Sequence, residues 1–299
     1  MDNLKSRIDL DQIANSPVAR GVAFFFALGA LVKVDLDFGR MIFDQDSIYP
    51  FLLLVLVPAS LGLKIGWQAI SVVRRCCIPI GVIVCLVNAL AMLANMDSQQ
   101  GFLLAQRLVY APLAFGIFLS FLLNLVEPEI ANKYELSFFE ICGLFFFSIG
   151  AVTLAILSTS YKIDGFRNFW DLRAIGLCAV IAQVCLVYPD FKNHTTIEKL
   201  HRTSLAAVLV FATYGVAMYM YGITSDSVDG LVSGVATSIL GILYGSVFSL
   251  FTISAGGQSS QTNEQKMFFD WHMIELYAFF MLIVLPPLSF NDLMGFGVN

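Results

Sequence analysis

Charge is what this sequence has least of. Only 13% of its 299 residues are Asp, Glu, Lys or Arg, against about a quarter in an ordinary soluble domain. Hydrophobic residues make up 58%, and mean hydropathy is +0.78. So many apolar side chains with so few charges cannot all be kept from water, so the expected solvent is lipid. That excludes a cytosolic enzyme, a secreted disulfide scaffold and a disordered chain. No Lys/Arg-rich run exists, and net charge is −5. Nucleic acid is therefore not an expected partner, because phosphate binding needs clustered cations. The first 20 residues have no apolar stretch of the kind that drives a signal peptide. Residues 1–17 read as a cytoplasmic tail instead. The six cysteines form no CxxC pair and lie in or beside apolar runs, as small buried hydrophobes do. Three histidines, and no HExxH, GxSxG or P-loop pattern, leave no catalytic set. No enzyme activity, cofactor or metal is expected.

What is there is a series of long apolar runs. A membrane span needs about 20 mostly apolar residues. Nine stretches qualify: 18–34, 49–69, 77–96, 103–126, 137–158, 173–189, 204–223, 230–253 and 271–290. The expected fold is all-α, a polytopic membrane protein of about nine transmembrane helices. With the N-terminus in the cytoplasm, eleven of the 17 Lys and Arg fall on the inner side, as the positive-inside bias requires. The expected location is a bacterial inner membrane.

The runs also repeat. FFFALGA at 24–30 returns as FFFSIGA at 145–151. Asp46 pairs with Asp171, and Arg75 with Arg202. LAFGIFLSFLLNL at 113–125 aligns with SILGILYGSVFSL at 238–250. These offsets, 121 to 127, predict two four-helix units, 18–128 and 137–255. Four spans per unit point both copies the same way, a parallel repeat. A linker, 256–270, and a ninth span with an outer tail, 271–299, complete the chain.

Few residues inside these spans carry chemistry. Ser233, Thr237, Gly241, Gly245 and Ser249 recur every four positions in the eighth span. That is one helix face, narrow enough for another helix to approach closely. Gly116 and Ser120 continue the pattern in the fourth span. Ordinary helix packing explains such a stripe; a narrow polar path is the other reading. Asn88 in the third span is polar in an apolar stretch. Ionisable groups within spans are functional candidates by default. Asp270 and Glu275 open the ninth span beside Trp271, with Glu275 about one and a half turns inside. They serve either as interfacial anchors or, for Glu275, as a protonatable site.

At these residues the chain resembles a family. IPIGVIVCLVNALAMLANMDSQQ followed by the LAFGIFLSFLLNL helix looks like the last two helices of MotA/PomA flagellar stator subunits, of the wider MotA/TolQ/ExbB group of ion-driven motors. AMLANMDS at 91–98 is similar to the sodium type, VATSILGILYGSVFS at 235–249 to the final helix, and residues 34–63 to the first loop and second helix. The resemblance implies a proton or sodium pathway in a stator-like complex. Cys85 and Thr213 would stand at pore-facing threonine positions, with Ser238 at a second such position. It also implies a single-span partner of MotB/ExbD type and a homo-oligomer, besides membrane lipid. The large cytoplasmic domain of the family is missing between the second and third spans. The sequence thus points to an ion-channel component of an energy-converting complex. A small-solute permease with parallel repeats and a non-transporting structural membrane subunit are the alternatives.

Overall fold

The computed structural model describes residues 16–37, 45–94, 99–126, 134–159, 172–187, 196–224 and 228–256. Among these, helix is the only regular structure. Eight long helices follow one another: α1 (Pro17–Asp37), α2 (Gln45–Ala59), α3 (Ala69–Ala94), α4 (Gln99–Val126), α5 (Phe138–Thr159), α6 (Leu172–Val187), α7 (Thr196–Thr224) and α8 (Val228–Ser254). The expected ninth span lies outside the described residues.

The helix ends have local causes. Ser16 caps α1, its hydroxyl accepting from the Ala19 amide at 3.2 Å. Pro17, the first helical residue, has no amide to leave unpaired. At α5 a capping box closes: the Glu140 carboxylate accepts from the Ser137 amide at 2.6 Å, and the Ser137 hydroxyl accepts from the Glu140 amide at 3.4 Å. α8 ends where Gly256 takes φ +94°, a left-handed conformation cheap only for glycine. The predicted second span, 49–69, is not one rod. α2 stops at Ala59, and a helical turn over Gly62–Gln68 reverses the chain into α3. Gly66, at φ +57°, makes that reversal.

Among the described residues, three helical stretches are long and apolar enough to cross a membrane: Ile48–Leu90, which includes this turn, Phe138–Ser158 and Ala236–Ser254. Ala111–Val126 is apolar but shorter.

α3 is the centre. Every residue from Cys76 to Val87 is buried, which is how a helix apolar on all sides must sit. It packs on α4, α8, α2 and α5. α4 also takes α1 and α2; α8 takes α7, α5 and α6; α6 also lies on α7, and α2 on α5. The broadest interfaces are the sequential hairpins α3–α4 and α7–α8. Phe51 of α2 and Phe115 of α4 meet edge to face at 4.8 Å, as do Phe145 of α5 and Phe251 of α8 at 5.3 Å. α1 and α5 turn phenylalanines outward, among them Phe25, Phe26, Phe138, Phe139 and Phe146.

Candidate functional site: a buried hydroxyl seam on α8

Glycine sets two close helix crossings. A methyl group built on Gly116 would stand 2.5 Å from the Cys77 carbonyl oxygen and 3.3 Å from the Gly81 Cα. α4 thus lies directly on the backbone of α3. On α8, a methyl on Gly245 would meet the Val208 Cγ2 at 2.7 Å and the Ser204 carbonyl oxygen at 3.1 Å. Gly241, one turn away, is closed off by the Phe211 ring. Gly116, Ser120, Gly241, Gly245 and Ser249 of the expected stripe are therefore buried packing positions. Thr237 is half-buried, and the side chain of Ser233 lies outside the described residues.

The same helix carries a line of hydroxyls. Ser238, Ser246, Ser249 and Thr252 are all fully buried. At 100° per residue they fall within about 120° of the α8 circumference and span roughly 21 Å of its length. Several buried hydroxyls elsewhere among the described residues answer to nearby carbonyls. Ser148 donates to Leu144 O, Thr203 to Lys199 O and Ser204 to His201 O. Such back-bonding is the usual helical solution. Ser246 and Ser249 are different: neither hydroxyl has a hydrogen-bond partner among the described residues. Burying an unpaired hydroxyl costs about 1–3 kcal/mol.

The seam ends at a titratable group. The Thr252 hydroxyl lies 3.1 Å from Ser249 O and shares a hydrogen bond of 3.0 Å with His201 Nδ1. His201 and Glu198, one turn earlier on α7, are both buried. Beside them, Cys76 Sγ lies 3.5 Å from the Ser254 hydroxyl, and the Tyr134 phenol donates to Ser254 O at 2.9 Å. Burial pushes the Tyr134 phenol up, against the opposing charge of Arg75, so it remains a donor at physiological pH. Across the end of α5, Lys64 holds Glu140 at 2.6 Å and the Glu135 carbonyl at 2.9 Å.

The other sequence candidates scatter. Cys85 is fully buried in α3, and Asn88, one turn on, is half-buried. Thr213 is exposed on α7, its hydroxyl donating to Leu209 O and Val210 O. Cys85 and Thr213 therefore do not share an environment. Glu275 and Asp270 lie outside the described residues. His201, Glu198 and Thr252 form the polar end of the seam, which sequence reasoning missed. The one signal for it was the amphipathic start of α7, TIEKLHRTS.

No protein-family model, curated protein or solved structure matches this chain.

Proposed function

We propose that the chain is an integral membrane protein, built of two parallel copies of one four-helix unit, that conducts protons or sodium as part of a stator-like energy converter. The observation that carries the ion-conducting reading is the pair of buried, unpartnered hydroxyls, Ser246 and Ser249, in a seam leading to His201. Buried polar groups are almost always paired. A file of water, or a cation that has shed part of its hydration shell, supplies the partners these two lack. His201 stands at the end of the file, its Nδ1 hydrogen-bonded to Thr252. The ninth span adds Glu275 as the acid that alternates between neutral and charged forms.

Two features support the duplication. In α1–α4 the third and fourth helices share the largest interface, the second lies on the third and fourth, and the first lies on the fourth. α5–α8 follow the same order. The glycine crossings also match: Gly116 covers Cys77 and Gly81, while Gly245 covers Ser204 and Val208. Those partners are offset by 127, the offset of Arg75 and Arg202. The glycines are offset by 129, which moves the expected α4–α8 alignment by about one helical turn. LAFGIFLS at 113–120 then faces ILYGSVFS at 242–249, with its Gly and Ser in common.

The test is ion flux through the purified full chain in liposomes. Wild type dissipates an imposed proton or sodium gradient. The Ser246→Ala, Ser249→Ala double variant, which removes two hydroxyls and leaves the packing nearly unchanged, slows it at least tenfold. Equal flux through both proteins removes the seam from the pathway.

A further inference from the structure

The two quartets meet mainly through two helix pairs, α2 on α5 and α3 on α8, with smaller contacts of α3 on α5 and of α2 on α8. If the quartets are equivalent, each of these pairs has a counterpart: α6 on α1, and α7 on α4. Among the described residues, neither counterpart forms an interface of comparable size. The chain thus carries both halves of a second interface and leaves them apart.

The exposed residues fall where this equivalence puts them. On α8, Ser246 and Leu250 are fully buried; their counterparts on α4 by the glycine register are Ile117, 38% exposed, and Phe121, 60% exposed. Ala114 and Asn124 of α4 are exposed too, opposite buried Leu243 and Ile253. On α3, Ile83 and Val87 are at most 1% exposed; their counterparts on α7, Val210 and Tyr214, are 40% and 43% exposed. The outer pair agrees. Phe51 and Leu54 of α2 are buried, whereas Gly176 and Ala179 of α6 are exposed; Leu144 and Ala151 of α5 are buried, whereas Ala23 and Ala30 of α1 are exposed.

We infer that a second copy of this chain docks head to tail, laying its α1–α4 face on the open α6–α7 face of the first. This rests on the duplication proposed above. The occupant is another copy because the open faces continue an interface the chain already makes with itself, side chain position by side chain position. Two different faces meet, so the contact is heterologous. It leaves one face open at each end until the assembly closes on itself. An isologous pair, α7 on α7, would not reproduce the α3–α8 packing.

The register of the contact follows from the internal one. Cys76 touches Ser254 between antiparallel α3 and α8. Seven residues along each, Ile83 comes level with 247, beside Ser246. The counterparts between chains are Val210 and Ile117. Differently tagged full-length chains carrying Ile117→Cys and Val210→Cys are co-expressed and oxidised in native membranes. The expected product is a disulfide-linked species of twice the chain mass that carries both tags, absent when either variant is expressed alone. An Ile83→Cys, Ser246→Cys chain reports on the internal contact. If it links and the mixed pair does not, the duplication stands and the docking is overturned, leaving the open faces to lipid or to segment 271–290. If the internal pair also fails to link, the equivalence of the quartets fails and takes the docking with it. A link between two copies of the same single variant overturns the head-to-tail arrangement.

Discussion

Gly116 and Gly150 look alike in the sequence, each a glycine amid apolar residues, yet they face opposite situations. An added methyl on Gly116 runs into a backbone carbonyl, which cannot rotate away. One on Gly150 meets nothing within 4 Å. Gly116→Ala should therefore cost about 1–3 kcal/mol through overpacking. Gly150→Ala should be neutral, or gain up to about 1 kcal/mol from helix propensity. Thermal unfolding in detergent, compared between the two variants, measures the difference. Equal behaviour would mean that α4 does not lie on the α3 backbone. The small-residue stripe was legible because a period of four on a helix is a face, whatever the fold. The hydroxyl seam was only half legible. Ser238 and Ser249 could be read, but which serines lack a partner depends on neighbours brought in by α7 and α3. His201 was hidden for a different reason. An apolar run shows where a helix meets lipid or core, not where it begins. α7 starts at Thr196, eight residues before the run, and its polar first turns are covered by α8.

At the level of elements, eight of the nine expected apolar stretches overlap the eight long helices, with ends displaced by up to ten residues, and three helical stretches among the described residues are long and apolar enough to cross a membrane. The second span differed most. Pro58, Gly62 and Gly66 were apolar enough to pass as part of a 21-residue run, but together they end α2 and turn the chain. Where that turn reaches α5, Lys64 grips Glu140 and the capping box of Ser137 fixes the first turn. Both groups of the ion pair are about 40% exposed, so water screens it. The cap matters more to local order. Ser137→Ala removes an N-cap hydroxyl worth about 1 kcal/mol. Hydrogen exchange at the first amides of α5 should quicken roughly fivefold, with the middle of the helix unchanged. Unaltered exchange would show that Lys64 alone holds this end. The orientation bias counts charges at the ends of apolar runs, so helix packing has no bearing on it. The register of α4 against α8 did need one. Two apolar helices align almost equally well at offsets of 125 and 129, and only the contacts of Gly116 and Gly245 separate them.

At the scale of the molecule, the function and the mode of assembly both rest on two quartets being the same object placed twice. The first quartet is closed on the side where the second covers it, and the second is open there. That asymmetry is what a repeated unit shows at the end of an unfinished row. The most direct measurement is an experimental density map of the full chain in lipid, with residues 17–126 superposed on 138–254. The two should overlay with all four helices running the same way and Gly116 falling on Gly245. Quartets inverted with respect to each other, or glycine crossings a turn out of register, would contradict the account.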